Sequence, residues 1–164
     1  MRIAVMGYVG SGKTYLSKFI SHMRDIPVMH LDEIYFDKNC RPIEKSVALY
    51  QVSEFMTNEH WLIDGFYSDL LMDERLEKAD MIILMLLPRA TCFFRAIKRS
   101  KSRAQEGYKN DLNPWFLKFT LFGCRNRKRR RTYATIVQRY KNKTIVLRSR
   151  RQVNKFIDSF QYNF

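Results

Sequence analysis

Cysteine is scarce in this chain, and nothing in its spacing groups it. Cys40, Cys92 and Cys124 are the three present. Their odd number and wide scatter argue against a disulfide framework, and the lack of any Cys-x-x-Cys or His/Cys cluster argues against zinc. A reducing cytoplasm is the compartment this usage fits. Long apolar runs are also missing. The longest, Met81 to Leu87, is far too short to span a bilayer, so no membrane segment is expected. The apolar start reads as a strand and not as a targeting segment, because no cleavage site of small residues follows it. No repeat and no linker divides the 164 residues, a length that fits one domain. Such a domain buries roughly 70% of its unfolded surface, enough for a core without staples.

Acidic residues are nearly absent from the second half. Residues 1–88 carry 9 Lys/Arg against 13 Asp/Glu, a net of −4, while residues 89–164 carry 21 Lys/Arg against 3 Asp/Glu, a net of +18. A basic half of this kind suits a polyanionic ligand, and nucleic acid meets that description as well as a nucleotide does. The run Arg125–Arg131 is the one biased segment. It reads as a solvated helix face that could attract any polyanion, including weak, non-specific nucleic-acid binding.

What is present is a phosphate-binding pattern. Gly7-Tyr8-Val9-Gly10-Ser11-Gly12-Lys13-Thr14 is glycine, four residues, then Gly-Lys-Thr. The glycines let main-chain N–H groups converge on phosphate oxygens. Lys13 reaches the outer phosphates as a mobile charge, and Thr14 offers its hydroxyl to Mg²⁺. Arg2–Met6 ahead of the motif reads as a buried strand. Tyr15, Leu16, Phe19, Ile20 and Met23 behind it recur at helical spacing. Strand, glycine-rich turn and helix is the context this motif needs, and the helix aims its positive end at the anion. Gly7, Gly10, Ser11, Gly12, Lys13, Thr14 and Tyr15 are therefore the candidate nucleotide contacts.

Further strands are expected at Pro27–Leu31, Trp61–Ile63 ending at Asp64-Gly65, Met81–Leu87 and Thr144–Leu147. Helices are expected at Val47–Met56, 68–79, from Pro88 to about Arg103, around 114–123 and 126–141, and at 150–160. Residues 32–43 and 104–113 read as loops, the second containing Gly107, Asn110 and Asn113. Alternating strands and helices imply a parallel α/β sheet with right-handed crossovers.

Ligands of such sheets bind at the carboxyl ends of the strands. Asp64 stands there after the third strand, where a phosphate-loop enzyme keeps the carboxylate linked to Mg²⁺, often through water. Asp32 follows the second strand and could take a proton from a hydroxyl under attack. Glu33 is its weaker neighbour, and His30 alternates with apolar residues as a core or edge histidine would. Arg95, Arg99 and Arg103 recur every four residues, which lines three guanidiniums along one helix face; one could stack on a base while the next bridges phosphates. Arg148, Arg150 and Arg151 follow the last strand near a bound base. Tyr108, Trp115, Phe116, Phe119 and Phe122 read as packing residues.

With these residues in view, the chain resembles the adenylate-kinase-like P-loop kinases, and within them the FlaR-like proteins described by an effect on DNA topology. The resemblance spans nearly the whole chain. It rests on the P-loop, His30-Leu31-Asp32, Trp61 to Tyr67, Ala79-Asp80, Leu87-Pro88-Arg89 with Arg95 and Arg99, and Leu147 to Arg151. It implies a three-layer P-loop fold with five parallel strands in order 2-3-1-4-5 and a helical lid within 100–125. It also implies the Mg²⁺-linked role for Asp64, and contact of Arg95 and Arg99 with the adenine ring and phosphates. Adenylate kinases continue the Leu-Asp-Gly-Phe segment with Pro-Arg, the arginine binding a monophosphate acceptor. Tyr67 and Ser68 stand at those positions here. Asp32 resembles the acid of nucleoside and other hydroxyl-directed kinases.

The function expected from all of this is ATP- and Mg²⁺-dependent phosphoryl transfer to a small molecule: a nucleoside, a nucleotide or another hydroxyl-bearing metabolite. Lys13, Asp32 and Arg99 are the candidate catalytic residues, and Thr14 and Asp64 the candidate metal contacts. The alternatives are a nucleic-acid-binding P-loop ATPase and a nucleotide-binding regulator that influences DNA topology.

Overall fold

A computed structural model of the chain describes residues 1–35, 43–105 and 114–163. The elements in chain order are β1 (Arg2–Gly7), α1 (Lys13–Arg24), β2 (Val28–His30), α2 (Leu31–Tyr35), α3 (Lys45–Phe55), β3 (Trp61–Asp64) and α4 (Met72–Lys78). There follow β4 (Met81–Met85), α5 (Arg89–Gln105), α6 (Pro114–Leu121), α7 (Arg127–Arg139), β5 (Thr144–Leu147) and α8 (Arg150–Asn163). Single 3-10 turns at Gly123–Arg125 and Lys141–Lys143 precede α7 and β5 respectively. The strands form one sheet in the order β2-β3-β1-β4-β5, the order expected from the sequence. β1 and β2 each pair in parallel with β3. Among the described residues no helix is long and apolar enough to cross a membrane.

The chain divides into two compact units. One comprises Met1–Met6 and Lys13–Ile83, the other Gly7–Gly12 and Leu84–Phe164. In the first, Ile3 to Met6 and Trp61 to Ile63 are buried without interruption, as strands covered on both faces require. Leu16 and Ile20, one turn apart on α1, are fully buried as well. At the edge, the Arg2 guanidinium and main-chain N–H both bond the Asp80 carboxylate, at 2.8 and 2.7 Å. In the second unit, Leu84, Met85 and Leu87 lie in a core with Cys92, Ala96, Tyr133 and Phe160.

Four details depart from the sequence expectations. Leu31–Tyr35 is helical where a loop is expected; Asp32 and Glu33 fall in its first turn, where carboxylates suit the helix dipole. The helix expected over 68–79 begins only at Met72, because Leu71 is left-handed at φ 52°. Trp115 and Phe122 are 70% and 57% exposed, so they do not pack as expected. The short helix α6 is apolar nearly all round, and one neighbour cannot cover every face. Trp115 instead stacks on Phe119 at 5.3 Å, and the Arg89 guanidinium lies 5.1 Å from the Phe122 ring centre. Lastly, α5 continues to Gln105. The rest of the loop expected at 104–113, together with Tyr108 and Cys40, lies outside the described residues.

Candidate active site

In the first unit, sheet register builds the site. Parallel pairing of β2 with β3 sets Val28 against Leu62, Met29 against Ile63 and His30 against Asp64. His30 and Asp64 are the last residues of their strands, so both stand at the carboxyl edge. Thr14, the second residue of α1, donates its hydroxyl to Asp64 Oδ2 at 3.0 Å. His30 Nδ1 meets the same oxygen at 3.2 Å. Asp64 is 5% exposed, and its Oδ1 is buried with no hydrogen-bond partner among the described residues. The hydrogen bond to Asp64 raises the His30 pKa above the ordinary histidine value; burial opposes it, and attraction to the Asp64 and Glu33 charges adds to it.

Asp32 is exposed at the start of α2. The Tyr67 hydroxyl donates to its Oδ1 at 2.7 Å, and the Tyr67 ring stacks on Tyr35 with centres 4.7 Å apart. The segment that carries Tyr67 is tied down from within. Arg75 is fully buried. Its Nε donates to the Leu70 carbonyl at 2.8 Å and its Nη1 to Gly65 at 3.3 Å. Its Nη2 donates to Phe66 at 3.2 Å and to Tyr67 at 2.8 Å. Burial pulls the Arg75 pKa down to about 10, which leaves it charged at neutral pH. A buried cation with four carbonyl partners is a brace for the turn after β3.

In the second unit, Gly7–Gly12 form the bend that follows β1. Gly10 adopts φ +74°, and a Cβ there would lie 2.1 Å from the Cys92 carbonyl oxygen. Gly12 adopts φ +94°, and a Cβ there would lie 3.1 Å from Arg95 Nη1. Both positions favour glycine for conformation, and Gly10 requires it for space as well. Arg95 Nη1 donates to the Ser11 carbonyl at 3.0 Å, so this arginine lies on the loop. Ser11 is fully buried and its Oγ has no hydrogen-bond partner among the described residues. The motif then runs on along the chain to Lys13 and Thr14.

Among the solved structures that resemble the chain are two kinases. One is a shikimate kinase from Bacteroides thetaiotaomicron, 17% identical, with a TM-score of 0.54, covering 98% of this chain and 96% of that one. The other is a gluconokinase from Sinorhizobium meliloti 1021, 16% identical, also with a TM-score of 0.54, covering 98% of this chain and 89% of that one. The fold is that of the P-loop kinases. At such identities the likeness extends to the fold alone. No protein-family model matches the sequence, and no curated protein does.

The remaining described sequence candidates are exposed. Arg99 is exposed, as are Arg148, Arg150 and Arg151, and Tyr15 is 72% exposed. The side chain of Arg103 lies outside the described residues. The Arg148 N–H bonds the Gln152 side chain and the Gln152 N–H bonds Ser149 Oγ, at 2.6 and 3.2 Å, a capping box that starts α8. Sequence reasoning missed three contacts. His30 reads in sequence as a core or edge residue, and only the pairing of β2 with β3 brings it to Asp64. Tyr67 was visible only as a departure from the adenylate kinase pattern. Arg75, inside a charged helical stretch, carries no signal of burial.

Proposed function

We propose that this chain is an ATP- and Mg²⁺-dependent phosphotransferase acting on a hydroxyl group of a small molecule, with the whole chain, 1–164, serving as one kinase-type unit. The observation that carries the reading is the Asp64 carboxylate. One oxygen is shared by Thr14 and His30, and the other is buried with no partner among the described residues. An unsatisfied buried carboxylate oxygen beside a hydroxyl is a hard-oxygen donor set, which fits Mg²⁺ held directly or through water. The loop fits phosphate in the same way: Gly10 and Gly12 hold the positive φ values of a tight glycine bend, and Ser11 keeps a buried hydroxyl without a partner among the described residues. Bound Mg²⁺-ATP would supply the phosphoryl group and the cation that neutralises its charge.

The chain's own residues then have distinct tasks. Lys13 offers a mobile cation toward the outer phosphates. Arg95 holds the loop through the Ser11 carbonyl and presents the rest of its guanidinium to the nucleotide. Arg99 is the second arginine toward the nucleotide, and Tyr15 a further candidate contact. Asp32, oriented by Tyr67, takes the proton of the acceptor hydroxyl at its other oxygen. Ser68 at the position of the acceptor-binding arginine of adenylate kinases favours a hydroxyl-bearing acceptor over a nucleoside monophosphate. A lid within 100–125 and a cytoplasmic setting complete the reading. Cys92 and Cys124, buried thiols outside any disulfide, suit a reducing compartment.

The second reading, a P-loop ATPase or regulator that binds nucleic acid, has one observation in its favour. Arg127, Lys128, Arg131, Thr132 and Thr135 share one open, basic face of α7. The deciding experiment is a thermal-shift screen in Mg²⁺ and a non-hydrolysable ATP analogue, with nucleosides, nucleotides, sugars and short DNA as second ligands. Hits are followed by ³¹P detection of phosphorylated product with ATP. A saturable shift with a hydroxyl compound and its phosphorylation support the kinase. Stabilisation by DNA alone, lost steeply with salt, supports the second reading.

A further inference from the structure

Arg125 leads the basic run that the sequence presents as a solvated face, yet it does not behave like its neighbours. Arg127, Lys128, Arg130 and Arg131 are exposed and Arg129 is half-buried on α7, whereas Arg125 is half-buried in the 3-10 turn before that helix. Its guanidinium carbon lies 3.8 Å from the centre of the Tyr8 ring, face-on at van der Waals contact. Its Nη2 donates to the Leu87 carbonyl at 2.8 Å. Tyr8 is the second residue of the phosphate-loop motif and is 7% exposed. Its ring also packs against that of buried Tyr133 of α7, with centres 5.5 Å apart and planes at 80°. The main chain of Tyr8 shapes the loop at two points. Its N–H donates to the Met85 carbonyl at 3.2 Å, and its carbonyl accepts the Ser11 N–H at 3.1 Å, closing the turn.

We infer that Arg125 is a positioning residue for the phosphate loop, acting through Tyr8 to hold the loop's main-chain N–H groups in their phosphate-binding directions. A planar guanidinium packed on a desolvated ring fixes the ring in place and in tilt. With Tyr133 packed against it as well, the Tyr8 side chain is held by two partners, which opposes movement of its backbone away from Met85. The Leu87 bond ties the same arginine to the end of β4, so loop and strand end share one clamp. Preorganised N–H donors bind an anion without the cost of ordering the loop first. Arg125 touches no phosphate in this role; its effect passes entirely through Tyr8. The charge of the rest of the run is irrelevant to it. The inference rests on the nucleotide-binding reading for its consequence, but its structural half stands apart.

The test uses the full chain with Arg125→Met, Arg125→Lys and Tyr8→Leu, and Arg130→Met as the control. Amide hydrogen exchange by mass spectrometry reads residues 8–12 against Ile3–Met6 of β1 in the same sample. Isothermal titration reads the Kd of a non-hydrolysable ATP analogue with Mg²⁺. Arg125→Met should speed exchange of the loop about tenfold without changing β1, and should raise Kd about tenfold. Arg125→Lys, which keeps charge but not the planar face, should recover only part of either. Arg130→Met should leave both unchanged. If Arg125→Met fails to fold, Tyr8→Leu removes the same contact from its other side and should give the same pattern. Unchanged loop exchange in a folded variant overturns the clamp. Faster exchange with unchanged Kd overturns its role in nucleotide binding. A wild-type protein that binds no nucleotide overturns the kinase reading and that same consequence, while the exchange arm still decides the clamp.

Discussion

His30 and Asp64 stand opposite each other in neighbouring parallel strands, and their side chains join at 3.2 Å. Asp64 Oδ2 also accepts from Thr14, so one carboxylate oxygen connects β2, β3 and the start of α1. A single substitution at this point would disturb three elements. The pair also makes stability depend on pH. A histidine whose pKa is raised on folding contributes stability that is fully present below its unfolded pKa and is lost as pH rises through the folded one. The Tm advantage of the wild type over His30→Gln should therefore be largest below about pH 6.5 and shrink at more alkaline pH. An advantage independent of pH between 5.5 and 8.5 would show that His30 acts without its charge.

Lys13→Ala should abolish tight triphosphate binding while leaving the Tm nearly unchanged. The residue opens α1 and is not part of the buried core, so little packing is lost. Titration of the Mg²⁺-ATP analogue into the folded variant checks this, and wild-type affinity would sink the P-loop assignment.

Asp32→Asn should lower turnover far more than ATP affinity, since the change is nearly isosteric but removes the proton acceptor. Tyr67→Phe, which deletes the 2.7 Å hydrogen bond to Asp32, should shift kcat in the same direction and by less. Steady-state kinetics on the acceptor found by the screen separates the two effects. Turnover of Asp32→Asn within about threefold of wild type would make Asp32 a helix-cap residue.

Arg95→Ala should weaken ATP binding by about 1–3 kcal/mol, the scale for losing a charged or stacking contact. Neutralising Arg129, Arg130 and Arg131 together should barely change it, and should mainly reduce salt-sensitive retention on DNA. Calorimetry beside DNA-affinity chromatography at two salt concentrations reads both. Specific DNA binding at physiological salt, with ATP affinity indifferent to Arg95, would favour the second reading.

Arg75→Met should destabilise the chain by about 3 kcal/mol, because four main-chain carbonyls lose charged donors and at least one stays buried. Urea denaturation monitored by far-UV circular dichroism measures it. A loss below about 0.5 kcal/mol would mean that water replaces the guanidinium without cost.

The elements themselves were legible in the sequence because their signals are contiguous. Arg2–Met6, the glycine-rich bend and the periodic residues of α1 follow one another along the chain, and so do Trp61-Leu62-Ile63 and Asp64. Local backbone preference and burial pattern suffice for such segments, and the strand order 2-3-1-4-5 followed from a resemblance carried by the same motifs. Side-chain partnerships were not legible, because they depend on register and packing between distant segments. His30 gained a carboxylate only when β2 settled beside β3. Arg75 became a buried brace because the turn after β3 curls around it. Arg125 left the company of Arg127–Arg131 because a 3-10 turn, not a helix face, carries it onto Tyr8. Trp115 and Phe122 stayed exposed because α6 has more apolar surface than its neighbours cover. In each case the residue type was known and the desolvation around it was not, since burial is a property of the assembled chain rather than of any local stretch of it.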